Sequence, residues 1–531
     1  MIAGVGLNLL AAQEISGERI RAHVKFLSSD LLEGRGPGTR GGDLATEYIA
    51  TQFALASLKP AGDHGTYFQA VPLIGITTQP SAQLSAEKDG KTVDFKWESE
   101  FVGVNERLTA SDSFDAEAVF VGHGIVAPEF QWDDFKGIDV HGKVLVLFTN
   151  EPTSTDPKFF GGRALTYYGR WSYKYEEATR RGAIGVIIIH TTPTAGYGWD
   201  VVRSSWSREQ PYVKLTAGEH ALSLAGWVTR EAGEKLVGMA GHHVDELLKS
   251  TESRDFQPIP LGIRIRANLP AKVRDIESRN VAGIVEGSDA HLKSQTVIYS
   301  AHWDHLGIGT PVNGDSIYNG AVDNATGCGI ILELARAWAA QPKKPKRSAL
   351  FLAVTAEEGG LRGSEYYAAH PSVSAGETAL AINYDGLFPL GRTRDVVVNG
   401  AERTTVWPVV QAVANHMDLA INPDPRPEQG AYYRSDHFAF AHVGIPAFSV
   451  EEGDDFIGKP KGFGEKAFDE YNENHYHQPS DEFQENWDFS GLAEMARFGL
   501  RIGTDIANQE KLPTWRAGDE FLAAREKSGV K

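Results

Sequence analysis

Apolar residues recur at helical spacing near the N-terminus. Between Ser16 and Leu58, the runs ISGERIRAHVKFLSSDLL and GGDLATEYIATQFALASLK place apolar residues every three or four positions. The turn-forming sequence EGRGPGTRGG lies between them. This pattern predicts two helices at the start of the fold.

After Ser278, apolar runs of strand length alternate with a helical pattern. We predict strands in RNVAGIVEG, TVIYSAHWDH, ALFLAVTAEEGG and ALAINYDGLF, and a helix in GCGIILELARAWAAQ. This alternation predicts an α/β fold with an open, mixed but mainly parallel sheet. Nearly continuous apolar strands such as ALFLAVTA indicate helices on both faces of that sheet.

Residues 79–267 carry a different pattern. Short β-rich runs such as AEAVFVGHGI and GKVLVLFT precede a helix and a strand in YKYEEATRRGAIGVIIIH. We predict an inserted β-rich domain here, with the main domain formed by residues 1–78 and 268–531. The chain length of 531 residues agrees with the presence of two domains, because one hydrophobic core rarely supports so long a chain.

The composition of the chain argues against several classes of function. Hydrophobic residues make up 41%, and no run approaches the roughly 18 apolar residues of a membrane span, so we expect none. Lys and Arg number 52 against 70 Asp and Glu, and the net charge of −18 argues against nucleic acids and anionic membranes as partners. Residues 1–12 are apolar without a basic start, which we interpret as an artificial end or the remnant of a signal peptide.

Cys328 is the only cysteine, which excludes an intrachain disulfide and a zinc site built on several thiolates. Any metal must therefore use histidines and carboxylates. His302 and Asp304 follow the strand TVIYSA and suit a metal ligand with its orienting partner. Asp323 precedes a helix, where it could bridge two cations or simply cap the helix.

Adjacent carboxylates end the next apolar strand. Glu357 and Glu358 would repel each other there without a cation, and one could bind a metal while the other moves a proton. Solvated loop carboxylates are the alternative. Asp385 ends another strand, and His475 and His477 lie in a polar loop.

These groups are predicted to meet at one edge of the sheet, since ligands bind beyond the carboxyl ends of parallel strands. Such an oxygen-rich set suits two zinc ions about 3.5–4 Å apart, although manganese or cobalt would also be accepted. The set comprises His302, Asp323, Glu358, Asp385 and His477.

The order HWD, VDN, AEE, NYD and YHQPSD resembles the zinc metallopeptidases of family twenty-eight, which include secreted aminopeptidases and glutamate carboxypeptidase II. The resemblance covers the opening helices and about residues 278–508, and it implies the zinc-exopeptidase, phosphorylase/hydrolase-like fold. It implies that His302 and Asp385 hold one zinc, that Glu358 and His477 hold the other, and that Asp323 bridges them. Glu357 would be the catalytic base.

Further features follow from the resemblance. Asp304 would orient His302, and the peptide bond after Asp323 would be cis. In the segment EQGAYYRSDHF, Tyr432 best matches the tyrosine that stabilises the oxyanion, with Tyr433 as the alternative. The insert resembles a protease-associated domain. Trp303 departs from the family, whose members often carry a smaller residue there.

We therefore expect a secreted or periplasmic exopeptidase, most simply an aminopeptidase acting on peptide or aminoacyl substrates. A glutamate-carboxypeptidase-like enzyme, a one-zinc glutaminyl cyclase and an inactive receptor are the alternatives. A carboxypeptidase needs cations for the terminal carboxylate of its substrate. The sequence offers Arg392, Arg394 and Arg434 for that purpose.

Overall fold

The structure is a computed structural model that describes residues 14–156, 158–215 and 218–530. The apolar run 1–12 lies outside these residues. The chain divides into two compact units. Unit 1 comprises the described residues up to Pro72, Glu277–Pro425, and those from Arg434 onward; unit 2 comprises Leu73–Ile276 and Arg426–Tyr433.

The helices and strands are numbered in chain order. The helices are α1 (Gly17–Leu27), α2 (Arg40–Leu55), α3 (Trp171–Arg180), α4 (Thr192–Ala195), α5 (Trp199–Trp206), α6 (Arg230–Gly238), α7 (Val244–Ser250), α8 (Thr326–Ala339), α9 (Arg362–Ala369), α10 (Trp407–His416), α11 (His437–His442), α12 (Phe463–Asn474), α13 (Ser490–Asn508) and α14 (Leu522–Lys527). Among these described helices, none combines the length and apolar character of a membrane span.

The strands are β1 (Lys59–Pro60), β2 (Phe68–Thr78), β3 (Gln83–Lys88), β4 (Lys91–Phe95), β5 (Phe101–Val104), β6 (Ser111–Phe120), β7 (Val126–Ala127), β8 (Trp132–Asp133), β9 (Val144–Leu147), β10 (Gly185–Ile189), β11 (Gln210–Val213), β12 (Leu224–Val228), β13 (Ile259–Val285), β14 (Thr296–His302), β15 (Gly307–Val312), β16 (Asp315–Tyr318), β17 (Ser348–Val354), β18 (Thr378–Asn383), β19 (Asp395–Val397), β20 (Ala420–Asn422), β21 (Ala447–Ser449) and β22 (Glu451–Glu452).

Unit 1 is built on a mixed, mainly parallel sheet, as predicted. Strands β21, β18, β14 and β17 are parallel neighbours, and the C-terminal half of β13 pairs antiparallel to β17. Every residue of β14, β17 and β18 is buried, which explains their continuous apolar sequences. The strands and helix predicted after Ser278 are confirmed.

The two predicted opening helices are α1 and α2. The hydroxyl of Ser16 caps α1 and that of Thr39 caps α2, each by accepting a hydrogen bond from a main-chain N–H of the first turn. A 3-10 turn, Asp30–Arg35, follows α1; its first three residues lie in the run predicted as the first helix, and its last three lie in the glycine-rich break. Helix α1 packs on α8, and both contribute to the main core of unit 1.

Unit 2 contains a second group of paired strands. Strands β6, β9, β10 and β12 are parallel neighbours, and β5 pairs antiparallel to β12. Along β9, Val144 and Val146 enter one hydrophobic cluster while Leu145 and Leu147 enter another, so both faces of the sheet are covered. The predicted helix and strand in YKYEEATRRGAIGVIIIH are α3 and β10.

Candidate metal centre

The predicted ligands of unit 1 follow the ends of three neighbouring strands. His302 ends β14, Glu358 follows β17, and Asp385 follows β18. Because these strands are parallel, their carboxyl ends meet at one edge of the sheet. Asp323 lies in a tight turn directly before α8, and His477 lies in the loop after α12.

The first group of donors surrounds the imidazole of His302. Its Nε2 lies 3.3 Å from Oδ1 of Asp323 and 3.1 Å from Oδ1 of Asp385. Donors about 2.1 Å from a tetrahedral zinc lie about 3.3 Å from one another. These separations therefore fit three ligands of one zinc ion.

The second group shares Asp323. Nε2 of His477 lies 3.4 Å from Oδ2 of Asp323 and 3.0 Å from Oε2 of Glu358. The two oxygens of Asp323 thus face two different histidines. The peptide bond between Asp323 and Asn324 is cis, as the resemblance implies.

The histidines and carboxyl groups of the two donor groups shift one another's pKa values. Burial opposes a charge on His477, but Glu358 and Asp323 outweigh burial and raise its pKa to about 9. Burial also opposes ionisation of Asp323 and Glu358, yet hydrogen bonds from the histidines lower the pKa of both carboxyls. Buried carboxylates crowded in this way need positive charge close by, which a divalent cation supplies.

Glu357 differs from its neighbour Glu358. Burial raises the pKa of Glu357 well above its usual value; His302 counteracts this, while Asp385 adds to it. Oε2 of Glu357 lies 3.9 Å from Nε2 of His302. A carboxyl group that lies beside the donors and has a raised pKa suits general acid–base chemistry.

Asp304 contacts both His302 and the main chain of Glu357. Its backbone carbonyl lies 3.1 Å from Nδ1 of His302, whereas the nearest carboxylate oxygen lies 3.9 Å away. The same oxygen, Oδ1, accepts a hydrogen bond of 3.2 Å from the N–H of Glu357. The main chain of Asp304 is thus closer to His302 than its side chain, which instead holds the loop after β17.

The part of the chain that carries these donors matches a known protein family. The sequence profile described as Peptidase family M28 matches residues 280–500. The similarity to Peptidase family M28 is thus carried by this part of the chain. The M28 match includes all five predicted ligands and Glu357.

Several solved structures are similar to this chain. An aminopeptidase from Aneurinibacillus sp. strain AM-1 superposes with a TM-score of 0.55 at 20% identity, covering 96% of this chain and 98% of that chain. A zinc aminopeptidase from Bacillus subtilis gives a TM-score of 0.47 at 18% identity, covering 92% and 94%. A peptidase M28 precursor from Shewanella amazonensis gives 0.46 at 17% identity, covering 96% and 98%. The first of these likenesses shows the fold.

A chain of hydrogen bonds supports Asp385. The hydroxyl of Ser435 donates to Oδ2 of Asp385 and accepts from the side-chain amide of Asn383 at 2.7 Å. The hydroxyl of Ser300 in turn donates to Oδ1 of Asn383 at 2.7 Å. One carboxylate oxygen of Asp385 is therefore fixed, and the other faces His302.

His305 is a candidate that the sequence reasoning did not select. Its Nδ1 lies 2.5 Å from Oε1 of Glu358, and its donor atoms group with those of Asp323 and Glu358 within 4.8 Å. Glu358 therefore lies between His305 and His477. The signal was present, since His305 follows His302 and Asp304 in the motif HWDH.

Other predicted residues lie elsewhere. His475 is bonded to Ser480 and Glu470, away from the donors that His477 joins. Tyr432 and Tyr433 are buried in a short turn that belongs to unit 2, with their rings 5.2 Å apart. The role of Tyr432 at the oxyanion stays a prediction.

Proposed function

We propose that the protein is a two-zinc exopeptidase that releases N-terminal residues from peptides. The observation that carries this proposal is the carboxylate of Asp323, whose two oxygens face His302 and His477. A carboxylate shared in this way suits a pair of cations. The match of residues 280–500 to Peptidase family M28 supports the peptidase class.

The ligands divide between the two ions. His302 and Asp385 would hold one zinc, Glu358 and His477 would hold the other, and Asp323 would contact both. Zinc held by these residues would supply Lewis acidity toward the scissile carbonyl and the water, and manganese or cobalt could replace it. Ser435 keeps Asp385 in position for this set.

Glu357 moves the proton in this proposal. Its carboxylate accepts a proton from the attacking water and returns that proton to the leaving amine. Burial, which raises its pKa, suits the second step. Tyr432 is proposed to donate its phenolic hydrogen to the oxyanion, which would stabilise the charge that develops there.

An aminopeptidase fits better than a carboxypeptidase. Two of the three arginines available for a terminal carboxylate already pair with acids: Arg392 with Glu494 and Arg394 with Asp455. The shared fold with the Aneurinibacillus aminopeptidase is consistent with this choice.

Unit 2 is proposed to be a protease-associated domain, and the enzyme is proposed to act in the periplasm or outside the cell. The two hydrophobic clusters of unit 2, formed by its own residues, support an independent module. The excess of acidic residues is compatible with an extracytoplasmic enzyme.

A substrate panel tests the proposed function. The zinc-loaded protein is assayed on aminoacyl anilides, on N-acetylated peptides with a free C-terminus, and on peptides with an N-terminal glutamine. We expect hydrolysis of the first class, no reaction of the second and no cyclisation of the third, with loss of hydrolysis on exhaustive chelation and its return with zinc. Hydrolysis unaffected by chelation, release of C-terminal residues, or cyclisation of the glutamine would contradict the proposal.

A further inference from the structure

Arg35 is a fully buried arginine in the turn after α1. Its side chain is only 1% exposed, and its guanidinium donates four hydrogen bonds to main-chain carbonyls. The acceptors are Leu27 at 2.7 Å, Trp303 at 2.8 Å, Asn319 at 2.6 Å and Gly320 at 2.9 Å. A planar group with five fixed donors can hold several carbonyls in one geometry.

Three of these carbonyls belong to the loops that carry the first group of donors. Trp303 follows His302 directly, and Asn319 and Gly320 lie shortly before Asp323. The guanidinium therefore connects the end of β14 with the turn before α8. The distance between His302 and Asp323 depends on the relative position of these two segments.

The backbone around Arg35 is also shaped to these loops. A Cβ added to Gly34 would lie 2.5 Å from the carbonyl oxygen of Tyr318 and 2.6 Å from that of Gly307, so only glycine permits this approach. Glu33 and Arg35 have φ values of +50° and +51°, a left-handed conformation that side chains rarely adopt. Strain of this kind persists where surrounding contacts impose it.

The charge of Arg35 adds to its geometry. Among the described residues, its hydrogen bonds all go to main-chain carbonyls, so no hydrogen-bonded carboxylate neutralises its positive charge. Burial lowers the pKa of Arg35, and the nearby Asp481, Asp323 and Asp304 counteract this effect. The guanidinium thus contributes positive charge to a region crowded with acids.

We propose that Arg35 is a positioning residue of the metal centre, which fixes the loops of His302 and Asp323 so that both ligands meet one ion. The proposal rests on the proposed function, because it takes these two residues as zinc ligands. Arg35 itself contacts no donor atom, and its effect is transmitted through the main chain.

Zinc affinity of substituted full-length protein tests this role. Zinc is titrated against a competing chelator in the wild type, Arg35→Met and Arg35→Lys. We expect Arg35→Met to bind zinc about 10–100-fold more weakly, as loss of an outer-shell partner does elsewhere. Arg35→Lys keeps the charge but cannot reach all four carbonyls, so its affinity should lie between the two.

Arg525→Met is the matched control. Arg525 is also fully buried in unit 1 and donates to the carbonyls of Pro513, Ala375 and Thr378, yet it contacts no ligand-bearing loop. Its loss should lower the unfolding temperature and leave zinc affinity unchanged.

The outcomes separate the two proposals. Failure of the wild type to bind zinc would overturn the proposed function itself. Zinc binding by the wild type with equal affinity in the Arg35 variants, or an equal loss in Arg525→Met, would overturn the role of Arg35 alone. If Arg35→Met does not fold, the zinc affinity of Arg35→Lys tests the proposal instead. If neither Arg35 variant folds while Arg525→Met does, Arg35 is a general structural residue and the proposal is wrong.

Discussion

Two neighbouring glutamates have opposite electrostatic environments. Glu358 lies between His305 and His477, and these imidazoles outweigh burial and keep the pKa of its carboxyl low. Glu357 is buried beside further acids, which together raise its pKa. One residue is therefore suited to hold a cation and the other to transfer a proton.

Glu357→Gln tests this division of roles. The amide keeps the shape of the side chain but cannot accept the proton of the attacking water. We expect zinc content to stay at the wild-type level while kcat falls about 10²–10⁴-fold. The measurement is steady-state hydrolysis of an aminoacyl substrate together with metal analysis. Wild-type turnover in a fully metallated variant would show that Glu357 is not the base.

Ser435→Ala tests the support of Asp385. Removing the hydroxyl frees the outer oxygen of Asp385, and we expect zinc affinity to fall about tenfold, measured by chelator competition. Ser348→Ala is the control, because Ser348 is a buried serine at the opposite end of β17 that bonds to the carbonyl of Lys293. An equal loss of affinity in both variants would mean that Ser435 acts only on stability.

The sequence alone identified those site residues whose chemical type and position after an apolar strand can be seen without the structure. His302, Glu358 and Asp385 each follow an apolar strand, so their convergence could be predicted from the sheet. Arg35 could not be selected, because EGRGPGTRGG indicates only a turn and says nothing of which side chain will be buried. Ser435 bonds to Asp385 across 50 positions of sequence, a contact that no local pattern encodes.

At the level of elements, apolar periodicity was sufficient for the core of unit 1. The completely buried strands β14 and β17 and the helix α8 were all predicted from their hydrophobic patterns. Strand β13 was predicted only as its C-terminal part. It runs for 27 residues from Ile259 to Val285, and polar residues alternate with buried ones over its first half.

Gly41→Ala tests how closely α2 approaches the preceding turn. A Cβ at this position would lie 1.7 Å from the carbonyl oxygen of Leu32, so the helix must move. We expect the free energy of unfolding to fall by about 1–3 kcal/mol or more, measured by urea denaturation. Gly238→Ala is the control at the end of α6, where a Cβ meets nothing within 4 Å, and it should be neutral or slightly stabilising. Equal stability of the two variants would contradict this account of the packing.

Considered as a whole molecule, the chain carries a main unit interrupted by a second one. The breaks fall after Pro72 and Ile276, near the ends of the predicted insert at residues 79 and 267. The segment Arg426–Tyr433 also belongs to unit 2, and its Pro427 carbonyl accepts a hydrogen bond from the N–H of Leu165. Nothing in its short polar sequence predicts that it leaves the main unit.

This segment contains Tyr432, whose proposed role therefore depends on a part of the chain that packs with unit 2. The five proposed ligands and Glu357 instead all belong to unit 1. The proposed metal centre therefore lies within a single compact unit, and metal binding can be tested apart from substrate specificity.

The zinc content of the purified protein is the most direct test of the central claim that Asp323 serves two cations. After zinc saturation and removal of free metal, elemental analysis should give about two zinc ions per chain in the wild type. Glu358→Ala should retain about one, because His302, Asp323 and Asp385 still form a complete group. A single zinc ion in the saturated wild type, or two in Glu358→Ala, would contradict the account.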